Sequence, residues 1–74
     1  MPTLQITVRA GYRCPYIASA ELDGREFRAT ARDEDTAAYA LLSRVMFSLK
    51  LNASDCDLKH VASEQDAEIY RVEW

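Results

Sequence analysis

The stretch YIASAELDGREFRATAR, residues 16–32, decides the fold. Two alternating runs flank Asp23-Gly24, and that dipeptide supplies the positive φ angles that both central positions of a type I′ turn require. The stretch therefore predicts a β-hairpin closed by two residues, and such a turn sets the register. Leu22 falls opposite Arg25, Ala20 opposite Phe27, Ala18 opposite Ala29 and Tyr16 opposite Ala31. That face is small and apolar, so a helix can approach it closely. The other face pairs Ile17 with Thr30, Ser19 with Arg28 and Glu21 with Glu26. Like charges directly opposite are destabilising. Either Arg28 or Arg9 offsets the pair, or Glu21, Asp23 and Glu26 form an acidic tip kept for binding.

Upstream, TLQITVR (residues 3–9) alternates strictly, with Leu4, Ile6 and Val8 on one face, which predicts a half-buried strand. AGYRCP separates it from the hairpin, and Pro15 cannot donate to a ladder, so a loop is expected there. Downstream, ARDEDTAAYALLSRVMF (residues 31–47) sets three acids before an apolar run. A helix start favours a side-chain acceptor and negative charge, so Asp33 or Asp35 can cap and Glu34 can occupy the first turn. The helix is expected from Thr36 to Leu51. Ala38, Leu41, Leu42, Val45, Met46 and Leu49 recur at three- and four-residue spacing as its core stripe. At 100° per residue, Phe47 points away from that stripe, with Ala40 beside it and Tyr39 on the flank, a small contact patch. LNASDCD ends the helix, with Asn52 as a cap. DLKHVA and AEIYRVEW then predict two strands joined by SEQD, with Tyr70, Val72 and Trp74 sealing the core and Trp74 tied down. The sum is a single α+β domain of three strands, one helix and two strands: an antiparallel sheet of about five strands with the helix on one face.

Composition narrows the function. The chain has 74 residues, 49% of them hydrophobic, with two Gly and two Pro, which describes one small folded domain. A core of this size stabilises only marginally, so self-association is a further option, as a homodimer. No apolar run approaches the roughly 18 residues of a membrane span, and MPTLQITVRAG alternates instead of forming a signal peptide. A soluble, cytoplasmic protein with no membrane partner is expected. Twelve acids against nine Lys and Arg give a net charge of −3, which disfavours nucleic acid and favours a basic protein partner.

Chemistry-bearing motifs are sparse. Cys14 and Cys56 are too few for a disulfide framework, and Cys56 with His60 in CDLKH lacks a second pair of zinc ligands. Free thiols, no metal and no cofactor follow. The chain carries no phosphate loop, nucleotide fingerprint, zinc-protease helix or nucleophile elbow. His60 with Asp55 or Asp57 is the best catalytic fragment, and one helix on one sheet leaves little room for a cleft. The expectation is a protein without enzymatic activity. Binding remains. Three strands followed by a helix suit a double-stranded-RNA-binding module, but RDED at the helix start would repel phosphate. The second class is a protein-binding module that presents Glu21, Asp23, Glu26, Asp33, Glu34 and Asp35, with Tyr39 and Phe47.

The short chain, strand-rich first half, Ala-rich single helix and closing hairpin resemble the small phage anti-CRISPR proteins that inhibit type I surveillance complexes. AELDGREFRATARDEDTAAYALLSRVMF (residues 20–47) carries the pattern of hairpin, acids and helix. The likeness covers nearly the whole chain, is architectural, and assigns no individual residue. It implies inhibition of CRISPR immunity by binding a Cas subunit at a basic surface meant for DNA, in the cytoplasm of a host bacterium. Small phage proteins of other roles share this outline.

Overall fold

In the computed structural model, which describes residues 2–11 and 15–74, the chain adopts the expected α+β arrangement. Strands β1 (Thr3–Ala10), β2 (Tyr16–Leu22) and β3 (Arg25–Ala31) precede helix α1 (Glu34–Ser48). A short 3-10 turn (Ala53–Asp55) leads into β4 (Asp57–Glu64) and β5 (Ala67–Glu73). The strands form one antiparallel sheet in the order β3-β2-β1-β5-β4, so the first strand of the chain lies at its centre.

The hairpin register expected from Asp23-Gly24 holds through all seven β2–β3 pairs, from Leu22 opposite Arg25 to Tyr16 opposite Ala31. Asp23 and Gly24 have φ of 52° and 79°, the left-handed values of a type I′ turn. On the helix side the sheet presents Ala18, Ala20 and Ala29, all buried, with Tyr16, Leu22, Phe27 and Ala31 half-buried around them. Ala37 and Ala38 of α1 are also fully buried, so small side chains line both surfaces of this contact. Leu41, Leu42, Val45 and Met46 fill the remaining space against Leu4, Ile6, Val8, Tyr70 and Val72. Burying a side chain of the Leu or Val class stabilises by about 1.5–3 kcal/mol, so this stripe supplies most of the cohesion between layers.

The helix departs from expectation at both ends. It begins at Glu34, two residues before Thr36, because Asp33 is the N-cap residue and its carbonyl accepts the first helical bond, from Ala37 N–H at 2.9 Å. It ends at Ser48 instead of Leu51. Lys50 takes a positive φ of 59°, and the Leu51 N–H turns back to the Met46 carbonyl at 2.8 Å. That is the left-handed closure usual at helix ends. Asn52 does not cap α1; it stands before the 3-10 turn and makes no side-chain cap bond. β4 runs two residues further than expected, β5 stops one residue short of Trp74, and the two meet through Gln65-Asp66 alone, with a bulge at Val61 where the register shifts between His60 and Ala62. Trp74 lies one residue beyond β5 and is tied to the start of the chain by its N–H to the Pro2 carbonyl at 3.3 Å.

Leu42, Val45 and Ile6 are completely buried, and Phe27 is half-buried at the margin of the same cluster. Leu42→Ala is therefore expected to cost about 2–5 kcal/mol. Urea or guanidinium melts measure this directly, and a loss below about 1 kcal/mol would mean that the stripe is not the main contact between helix and sheet.

Candidate functional site

The position of α1 over the sheet organises the surface. The helix packs chiefly over β3 and β2, less over β1, and barely reaches β5. The helix-side surface of β4 and the far part of β5 is left without a helix above it. Alternation points His60 and Ser63 of β4 and Glu68 and Tyr70 of β5 to this side, because Tyr70 pairs with Ile6 and Val72 with Leu4.

These side chains form a polar cluster. His60 Nε2 lies 2.5 Å from Glu68 Oε2, the Ser63 hydroxyl donates to the same Glu68 oxygen at 2.5 Å, and Ser63 Oγ is 3.3 Å from His60 Nε2. Ser63 and Glu68 are direct cross-strand partners, as are His60 and Tyr70, whose rings sit 5.1 Å apart. The bulge at Val61 makes the meeting geometric: without the extra residue, Ser63 would point to the opposite face. The Ser63 and His60 hydrogen bonds hold the Glu68 carboxyl below its usual range. A relay that activates a serine needs its hydroxyl to donate to one ring nitrogen while the acid holds the other. Here Ser63 and Glu68 both meet Nε2, and the hydroxyl proton points at the acid, so the contacts clamp β4 onto β5.

Tyr70 carries the link to the helix. Its hydroxyl donates to Asp35 Oδ1 at 2.7 Å, across 35 residues of sequence. Burial first, and this hydrogen bond second, push the Tyr70 phenol well above its ordinary value. Asp35 is thus not the cap. It reaches sideways to β5 and ties down the side of α1 opposite β3. Asp33 caps through its backbone, while its carboxylate accepts the Thr36 hydroxyl at 3.2 Å. Glu34 and Asp35 occupy the first turn, where negative charge complements the helix dipole.

The six acids singled out in the sequence fall into two separate places. Glu21, Asp23 and Glu26 sit at the β2–β3 turn, whereas Asp33, Glu34 and Asp35 follow the other end of β3. Phe27 to Ala31 of β3 and then Arg32 lie between the two groups, roughly 20 Å of chain at about 3.3 Å per residue. Glu21 and Glu26 are direct partners, as expected, and Arg28 pairs with Glu26 at 2.5 Å on the same strand face. The neutralising partner is therefore Arg28. The helix start instead has neighbours distant in sequence. The register of Arg9 with Ala67, and of Glu64 with Ala67, brings the β4–β5 turn to the same end of the sheet. Two adjoining shallow grooves there share Tyr16 and Glu34; one is walled by Glu64, Asp66 and Glu68 with Arg9, the other by Asp33 and Asp35 with Arg32. Six of the twelve acids thus gather at one end. Glu64, Asp66 and Glu68 do not stand out in the sequence: Glu64 and Asp66 fall in SEQD, which reads as a loop, and Glu68 falls in the last strand with no signal for its neighbours. A two-residue turn at Gln65-Asp66 would have placed them.

Tyr39 and Phe47 are exposed, the latter at 85%, while Ala40 is half-buried against the core. Tyr39 and Phe47 lie two turns apart, about 12 Å along the axis, with exposed Ser43 between them. Cys56 is a half-buried free thiol whose Sγ–H points to the Asn52 carbonyl at 3.6 Å. Burial, then the charge of Asp55, pushes its thiol up, away from a reactive thiolate. Cys14 lies outside the described residues. Among the described residues, no group of three or more His, Cys, Asp or Glu side chains is placed to hold a metal ion, and no helix is long and apolar enough to cross a membrane.

The two clamps predict opposite pH limits. Tyr70 has a raised folded value, so its contribution is complete below the unfolded tyrosine value of about 10 and is lost as pH rises through the folded one. Glu68 has a depressed folded value, so its contribution is present above the ordinary carboxylate range and is lost as pH falls through the folded one. Tyr70→Phe is expected to cost about 1.5–3 kcal/mol near neutrality, the range for a hydrogen bond to a charged group, and to flatten the alkaline limb of a stability–pH curve. Glu68→Gln should flatten the acid limb. Unchanged limbs in both variants would show that the clamps add nothing to stability.

No family model, curated protein or solved structure matches the chain.

Proposed function

We propose that the protein is a binding module that captures a basic surface on another protein with the acidic end built from the start of α1 and the β4–β5 turn. The observation that carries this reading is the gathering of Asp33, Glu34, Asp35, Glu64, Asp66 and Glu68 around two shallow grooves, where Arg9 and Arg32 are the basic neighbours. Shallow, open surfaces in which acids outnumber bases suit a protein face better than a small substrate, which needs a concave and largely apolar site. Complementary charge also raises the rate of encounter with a basic partner. Glu21, Asp23 and Glu26 form a second and separate acidic surface, with Glu26 already engaged by Arg28.

The resemblance to phage anti-CRISPR proteins supplies a partner class: a Cas subunit of a type I surveillance complex whose DNA-binding surface is basic. In that reading the protein is a phage-encoded inhibitor acting in the bacterial cytoplasm, with no catalytic step. A negative surface competes with DNA for the same cations, and the two cannot occupy them together.

Charge reversal separates the two acidic surfaces. Glu64→Lys with Asp66→Lys changes two exposed side chains, one at the end of β4 and one in the turn, so melting should be normal, and binding to a type I complex should weaken more than about tenfold, or about 1.4 kcal/mol. Glu21→Lys with Glu26→Lys should have a smaller effect. Equal binding by wild type and the turn variant would exclude the acidic end as the interface. The unmodified protein should show no retention of duplex DNA or RNA near physiological salt in a gel-shift titration. Tight binding that falls steeply with salt would instead identify a nucleic-acid module.

A further inference from the structure

The sheet has two edges, and they are built differently. β4 is the protected one. Seven of its eight residues are exposed, Asp57, Lys59 and Glu64 among them, and the bulge at Val61 interrupts its ladder. Charges and bulges of this kind discourage pairing with another strand. β3, at the other edge, keeps an unbroken register with β2 over its full length from Arg25 to Ala31.

The turn also says which β3 groups are free. A two-residue loop closes on a hydrogen-bonded pair, here Leu22 with Arg25, and such pairs alternate along an antiparallel ladder. Arg25, Phe27, Ala29 and Ala31 therefore direct their backbone groups to β2. Glu26, Arg28 and Thr30 direct theirs outward. All three are exposed, and none takes part in a backbone hydrogen bond outside the strand ladders among the described residues.

We propose that β3 is the pairing edge of a two-fold homodimer, in which β3 strands from two copies run antiparallel about Phe27 and join the sheets into one of ten strands. Charge selects this register. A two-fold axis at Glu26 would oppose acid to acid, and one at Arg28 would oppose Arg to Arg. The axis at Phe27 places Glu26 of each copy opposite Arg28 of the other, twice, and both are residues whose backbone groups already point outward. Arg28 pairs with Glu26 within its own strand, so the two copies together form a square of alternating charge. The same arrangement gives a role to the unfavourable Glu21–Glu26 pair: Glu26 then has a like charge on one side and Arg28 of the second copy on the other. On the helix side the two Phe27 rings meet at the axis, removing a half-buried aromatic from solvent. A contact of this kind is isologous, the commonest closed symmetry for oligomers.

Light scattering or sedimentation across a concentration series tests the proposal. Wild type is expected to dimerise. Glu26→Arg alone and Arg28→Glu alone, each placing like charges opposite in its own dimer, should raise the dimer dissociation constant by about tenfold or more. An equimolar mixture of these two variants has opposite charges at every opposed position, and should form a heterodimer as readily as wild type forms its homodimer. Phe27→Cys should give an oxidant-dependent covalent dimer that wild type does not form. The proposal is overturned if wild type stays monomeric at every concentration, if the single variants dimerise as wild type does, or if the mixture of folded variants fails to associate.

Discussion

The close approach of α1 to the β2–β3 hairpin is the contact on which the rest of the surface depends. It is made of alanines on both sides: Ala18, Ala20 and Ala29 from the sheet and Ala37 and Ala38 from the helix, all buried. Side chains this small let backbone layers come together with few voids, and dense packing is what makes a small core cohesive. They also settle where the helix lies. Because the small residues are on β2 and β3, the helix sits over that half of the sheet and leaves β4 and the outer part of β5 bare.

That lateral displacement creates a mechanical problem that polar chemistry solves. A helix seated over one half of a sheet needs a tie toward the other half, and Tyr70 provides it through Asp35. In the bare half β4, the outermost strand, has its ladder to β5 and the packing of Leu58 against the core. His60, Ser63 and Glu68 add cross-strand hydrogen bonds to that ladder. The helix-covered part of the protein is therefore held by burial, which is indifferent to pH over the ordinary range. Its uncovered part adds the contacts of Glu68 and Tyr70, which depend on protonation. Ser63 joins this cluster only because of the bulge at Val61.

Charge follows the same division. Acids collect where α1 begins because a helix start favours them, and the β4–β5 turn adds three more from a distant part of the chain. The β2–β3 end carries the opposed Glu21 and Glu26, with Arg28 beside the latter. An unbroken strand edge at β3 and a bulged, charged one at β4 give the molecule one side open to pairing and one side closed to it.

Much of the fold was legible in the sequence because the signals were local. Asp23-Gly24 demanded a type I′ turn, the turn dictated every β2–β3 pair, and the three- and four-residue spacing from Ala38 to Leu49 named the helix stripe. The candidate site was only half legible. Asp33, Glu34 and Asp35 stood out as a run, but their roles at the helix start differ: Asp33 caps through its backbone, and Asp35 binds a tyrosine 35 residues away. No local rule predicts that bond, since it exists only once α1 and β5 are side by side. Glu64 and Asp66 were invisible for a related reason: their neighbours depend on a two-residue turn and a bulge, and a shift of one residue reverses every side chain in a strand. By itself the sequence determined the elements, the hairpin register and the buried stripe, since these rest on backbone preference and periodicity. Only the tertiary structure decided which acids share an end and which edge stays open, because strand order and bulges arise from pairings between residues far apart in the chain.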